Sequence, residues 1–189
     1  AYMQGGSVIT IDDGNPVTNE NVSVTAANIA DITSDIKSAT SSGDAAVGVT
    51  LAFNTIGWDA QNVLFSSLDA LIGSSIGTEN SAGVNAYIVD TALTVDGDLS
   101  VTANNQVSVK ATVSNEATSA AWALYGATGM SASGVLASNM VSAKAQSYID
   151  YTSTQQAVNV ERSVTVSADD NGSIDATSKM ASLSSPAND

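Results

Sequence analysis

Residues Asp169, Asn171, Ser173 and Asp175 put four oxygen-bearing side chains at alternate positions, a spacing at which a loop can wrap hard oxygen ligands around Ca²⁺. Calcium is the one cofactor this chain's residues suggest. The pattern departs from an EF-hand loop twice, because Ile174 stands at the glycine position and Met180 at that of the bidentate glutamate. Asp12/Asp13 and Asp96/Asp98 supply further carboxylates on turn-like segments. Asp, Asn and Gly are also what turns are made of, so a reading without metal stands beside the calcium one.

Paired carboxylates could in principle serve glycoside hydrolysis, which needs two of them facing across a groove, usually with aromatic platforms for the sugar. Aromatic residues are scarce, and Tyr87 and Tyr148 read as core residues at repeated positions. Histidine and cysteine are both absent, which removes Ser-His-Asp triads, thiolate nucleophiles and His- or Cys-ligated zinc. A non-catalytic chain is therefore expected. Five basic residues (Lys37, Lys110, Lys144, Arg162, Lys179) against nineteen acidic ones give a net charge of −14, so clustered phosphate contacts are out of reach and nucleic acid is not a partner. No apolar run approaches the length of a membrane-spanning helix, and the start of the chain lacks a signal-peptide pattern.

The elements that must hold these residues announce themselves by repetition. Ala1-Tyr2-Met3, Ala86-Tyr87-Ile88 and Ser147-Tyr148-Ile149 form an aromatic hinge that recurs three times. After each hinge comes a turn and then an alternating run: Val22-Ser23-Val24-Thr25-Ala26, Leu99-Ser100-Val101-Thr102-Ala103 and Val164-Thr165-Val166-Ser167-Ala168. A third block, Thr50-Leu51-Ala52-Phe53-Asn54, returns more loosely as Val135-Leu136-Ala137-Ser138-Asn139. The hinges lie 85 and 61 residues apart, and a 24-residue insertion before Tyr87 accounts for the difference. Repetition at long period marks a stacked array. The units run over about 1–85, 86–146 and 147–189, the last one partial, within one repeat-built β domain.

Val107, Val109, Ala111 and Val113 interleave with Ser108, Lys110, Thr112 and Ser114, the pattern of a half-buried strand. Inward residues are mostly Ala and Val, which suits closely stacked coils better than a thick sandwich. Asp12-Asp13-Gly14-Asn15-Pro16, Asp96-Gly97-Asp98 and Asp169-Asp170-Asn171-Gly172 are expected to be turns. A unit of 61 residues would divide into about three coils of roughly 20. The insertion reads differently. Leu64, Leu68, Leu71, Ile72 and Ile76 share a helical face between Asp59 and the stop signals Gly73 and Gly77, predicting one amphipathic helix over about 57–77, either a lid on the β core or a partner-binding helix. Over residues 119–138, two short strands around a glycine turn are expected. The predicted fold is all-β, a parallel β-solenoid of about 61-residue repeats with that helical insertion, and a β-sandwich is the alternative that Asp-Gly turns permit.

The phrase at residues 86–103 and the stretch Ala46-Val47-Gly48-Val49-Thr50-Leu51-Ala52-Phe53-Asn54-Thr55-Ile56 resemble the repeat region of the large filamentous, haemagglutinin-like surface adhesins of Gram-negative bacteria. The resemblance covers most of the chain and implies an elongated parallel β-solenoid at the cell surface. It brings no catalytic residues.

The expected function is that of a structural, adhesive segment of an extracellular bacterial repeat protein; the alternative is a self-assembling subunit of an extracellular filament. Expected partners are adjacent repeats or identical chains end to end, with surface glycans or host and matrix proteins as contacts. Because the first unit opens at its hinge and the last stops partway without a polar cap, something covalent or identical is expected to abut each end.

Overall fold

In a computed structural model of the chain, residues 1–6, 8–11, 20–59, 79–120, 122–123, 128–185 and 187–188 are described, and every element among them is a strand. The first pass of the chain holds β1 (Tyr2–Gln4), β2 (Val8–Ile11), β3 (Val22–Ser42) and β4 (Ala45–Ile56). The middle pass holds β5 (Ala82–Val89), β6 (Ala92–Val95), β7 (Leu99–Ser119), β8 (Trp122–Ala123) and β9 (Met130–Val141). The third holds β10 (Ala143–Asp150), β11 (Val158–Val160), β12 (Val164–Ser184) and β13 (Ala187–Asn188). Among the described residues no helix is long and apolar enough to cross a membrane.

Strands pair with their counterparts in another pass, not with their neighbours in sequence. The middle pass supplies the central strand of three three-stranded sheets, β1-β5-β10, β2-β6-β11 and β3-β7-β12, while β4-β9 and β8-β13 are two-stranded. Pairing is parallel, as a chain that returns in the same direction requires. For the 21-residue strands the ladder fixes the register at both ends. Val22 N donates to Asp98 O and Leu99 N to Ser163 O at the start, and Ala120 N donates to Ser42 O and Ser185 N to Ser119 O at the finish. Val22, Leu99 and Val164 therefore lie side by side.

The register coincides with the repeated phrases. Tyr87 pairs with both Tyr2 and Tyr148, and Thr50 through Asn54 pair with Val135 through Asn139. One correction follows. Paired residues lie 61, 65, 77 or 85 positions apart, so a unit does not divide into three coils of about 20 residues. Strands within one pass face different neighbours and need not resemble one another; only residues stacked between passes must match.

The chain forms two compact units. The first comprises Ala1–Ala30, Ser81–Val107 and Ser142–Gly172. Its core gathers Val22 and Val24 with Val84, Ala86, Ile88, Leu93, Val95, Leu99, Val101 and Ala103, mostly Val and Ala with three larger aliphatic residues. The second comprises Asp31–Asn80, Ser108–Val141 and Ser173–Asp189, and here Val109, Ala111, Val113 and Ala117 are buried alongside Ala46, Ala52 and Ile56. Its interior also takes polar side chains: Thr50, Asn115 and Ser119 are buried. The alternation read over residues 107–114 holds, with Val107, Val109, Ala111 and Val113 inside and Lys110 exposed.

Three further expectations meet the structure differently. The predicted helix over 57–77 lies, apart from its first three residues, outside the described residues; there Gly57 turns at φ +75° and Trp58 forms an isolated antiparallel bridge to Glu79. Asp169-Asp170-Asn171-Gly172 is not a turn but the middle of β12, because pairing with β7 holds the segment extended. The expected turn at Asp12–Pro16 lies outside the described residues, whereas Asp96-Gly97 does bend; of residues 119–138, 122–123 form β8 and 130–138 belong to β9, while 121 and 124–127 lie outside the described residues.

Candidate functional site

What the fold builds are ladders, in which one side chain per pass repeats the same contact. Tyr2, Tyr87 and Tyr148 stack with ring centroids 5.2 and 5.1 Å apart and planes within 11°. The rings are not core residues, as the repeats suggested. They alternate with the buried Ala86 and Ile88 and so lie outside, Tyr2 being 64% exposed. A parallel ladder spaces equivalent residues by about 4.8 Å, close to the stacking distance of aromatic rings, so register alone produces the pile.

At the corner before the long strands, Asn21 Oδ1 accepts the Asp98 backbone N–H at 2.7 Å, and Asp98 Oδ1 accepts that of Ser163 at 3.1 Å. Each pass thus hooks the next with one side-chain oxygen. Inside, Asn28 Nδ2 donates to Asn105 Oδ1 at 2.9 Å, and Asn105 Nδ2 to the carbonyl of Ala82 at 2.7 Å. In the second unit Asn54 Nδ2 donates to Asn139 Oδ1 at 2.8 Å. A further corner turns at Asp90, a non-glycine residue at φ +50°. Its carboxylate accepts the Thr152 hydroxyl and, at 2.7 Å, the Thr152 N–H. These bonds, with one from the Ser153 backbone, hold its pKa below the ordinary carboxylate value against a smaller upward push from burial.

The calcium candidates Asp169, Asn171, Ser173 and Asp175 fall on one outward row of β12, all exposed. Successive members are about 6.6 Å apart along an extended strand, whereas oxygens sharing one Ca²⁺ lie within about 5 Å of one another. Asp169 and Asn171 belong to the first unit, Ser173 and Asp175 to the second. Asp169 accepts from Ser167 Oγ at 3.4 Å, and Asp175 lies 4.0 Å from the Lys110 ammonium. Of the other carboxylates, Asp98 serves as a hook and Asp12 and Asp13 lie outside the described residues. Among the described residues no three Asp, Glu, His or Cys side chains gather where they could hold a metal.

The second unit carries a groove of about 450 Å³ on its three-stranded sheet that the sequence reading missed. Lys37, Ser114 and Lys179 form one cross-strand row and Ala39, Glu116 and Ala181 the next. Small alanines beside Glu116 leave the hollow, and the lysines rim it. Extending the 22/99/164 phrase alignment along the strands would have brought these residues together.

No family model, curated protein or solved structure matches this chain.

Proposed function

We propose that the chain is a non-catalytic structural and display segment of an extracellular bacterial repeat protein, its parallel sheets closing into a β-solenoid in which each long sequence unit makes one coil. The observation that carries this reading is the coincidence of repeat and register: residues that recur in sequence are those that hydrogen-bond and stack across passes. Selection for matching residues at stacked positions maintains a ladder; a catalytic groove asks instead for one unrepeated constellation. Adjacent repeats are its natural neighbours. The hydrated Ser, Thr and Asn rows would meet surface glycans or matrix proteins through many weak contacts.

Duplicating residues 82–142 tests the architecture. The extra unit should insert as one more layer of about 4.8 Å and fold with the rest in a single transition. A variant whose added segment is digested by protease while the remainder resists would defeat it. For location, protease treatment of intact cells should remove the segment; full protection behind the envelope would reject the extracellular reading.

A further inference from the structure

In the second unit, the two-stranded sheet of β4 and β9 carries no charged residue on either strand, in a chain of net charge −14. Alternation puts Ala46, Gly48, Thr50 and Ala52 of β4 inside and leaves Ala45, Val47, Val49, Leu51 and Phe53 on the outer face. The register sets Met130, Ala132, Gly134, Leu136 and Ser138 of β9 beside them on that face. Val47, Val49, Leu51 and Met130 are exposed, Val49 to 66%. These side chains stand perpendicular to the sheet, so a further strand beside β4 or β9 would leave the face open.

The face has relief. Val47 stands beside Ala132, Val49 beside Gly134 and Phe53 beside Ser138, so β4 is a ridge and β9 a trough. A Cβ added at Gly134 would meet Val49 Cγ2 at 4.0 Å, an ordinary contact, so there is room above this residue.

We propose that this face binds the same face of a second copy of the chain, side by side, in a two-fold dimer. A two-fold axis parallel to the strands and midway between the sheets lays β4 of each copy on β9 of the other, ridge into trough. Every row keeps its own level, so Val49 sits over the partner's Gly134 and Val47 over the partner's Ala132. Ala45 over the partner's Met130 again pairs small with large, and Leu51 with the partner's Leu136 fills the space of about 10 Å between packed sheets. The face is thus complementary to itself. Elsewhere two copies repel, so a charge-free face is where they can meet, and it offers nothing to a charged partner.

Twelve-residue strands at about 3.3 Å per residue, two abreast at about 4.8 Å, make a face of about 400 Å². Exposed apolar patches of this size mark interaction sites on monomers. The two copies together bury about 800 Å², below the roughly 1,200 Å² of stable interfaces, so the dimer is weak and concentration-dependent.

The test is sedimentation velocity on the 189-residue chain from ~1 to ~300 µM in ~0.15 M NaCl. Monomer is expected at the low end and dimer at the high end, with no larger species, because a two-fold contact closes on itself. Val49→Lys should weaken association at least ~30-fold by burying an unpaired charge. Ile29→Lys makes the same change at a 79% exposed residue of the first unit and should dimerise like the parent. Gly134→Val makes the face more apolar yet fills the trough, and should weaken the dimer ~10-fold. Adding Val49→Ala to it moves the ridge to β9 and should restore association. Lowering the salt to ~0.01 M should weaken the parent dimer, since repulsion between the two copies is then less screened.

A parent still monomeric at ~300 µM would overturn the proposal. So would a Val49→Lys variant that associates like the parent, a Gly134→Val variant that associates more tightly, or a dimer that low salt strengthens. Matching circular dichroism keeps misfolding apart from lost association. If the parent is monomeric, binding of an apolar dye identifies the occupant that replaces the second copy. Uptake lost in Val49→Lys would mean that the face serves a different apolar partner, and no uptake by the parent that another stretch of the same chain covers it.

Discussion

Gly48 shows how closely the second unit's strands approach. A Cβ at this position would lie 2.6 Å from Asn115 Oδ1 and 3.0 Å from Thr40 Oγ1, and Asn115 is itself buried. Gly48→Ala should therefore cost about 1–3 kcal/mol in urea unfolding, as overpacking does; a variant as stable as the parent would mean that Asn115 can swing aside. Asp90 is the other telling residue, since it holds a left-handed backbone that favours glycine while its carboxylate clamps Thr152. Its pKa is lowered on folding, so its contribution is present above the unfolded carboxylate pKa of about 3.9 and fades as pH falls below that value. Asp90→Asn should shrink this acid-side loss of stability while leaving the neutral-to-alkaline profile parallel to the parent's. Identical acid limbs in the two thermal melting series would show that the clamp contributes nothing.

The strand is the scale at which repetition becomes stability. Tyr87 touches a ring on either side, so Tyr87→Leu breaks both stacks while the buried Ala86 and Ile88 beside it are untouched. With aromatic pairs at about 0.5–1.5 kcal/mol each beyond area burial, a loss of about 1–3 kcal/mol is expected, against half of that for Tyr148→Leu, which breaks one stack. Equal losses at the two positions would contradict an additive ladder. Tyrosines, alternating valines and the Thr50 and Val135 blocks were legible because stacked residues must match, and their alignment is the register itself. The length of a pass was not, because consecutive strands of one pass differ and nothing in their composition says how many precede the return to the next parallel partner. Asp169 to Gly172 misled for a physical reason: turn-forming residues are carried in an exposed edge strand when a 21-residue partner holds them extended. The calcium row was visible as a spacing, but alternate positions mean convergence in a loop and separation in a strand.

Over the whole molecule the charge of −14 is spread with little compensation, since the ion pairs among the described residues are Lys37–Asp35 at 2.9 Å and Lys110–Asp175 at 4.0 Å, both exposed. Exposed pairs of this kind contribute about 0–1 kcal/mol, so self-repulsion dominates the electrostatics of folding. Added salt shortens the Debye length from about 30 Å at 0.01 M to about 8 Å at 0.15 M, and the melting temperature should rise over that range and then level off. Calcium gives the sharper comparison. If the Asp169–Asp175 row merely attracts cations, CaCl₂ and NaCl at matched ionic strength should give superimposable melting curves up to about 1 mM Ca²⁺, the weak end of protein calcium sites. A Ca²⁺-specific rise at micromolar concentration, abolished by Asp175→Asn, would mean that the row closes around the ion and that this stretch of β12 leaves its extended path to do so. A flat melting temperature across the NaCl series would instead show that the acidic side chains already lie far enough apart for water to screen them.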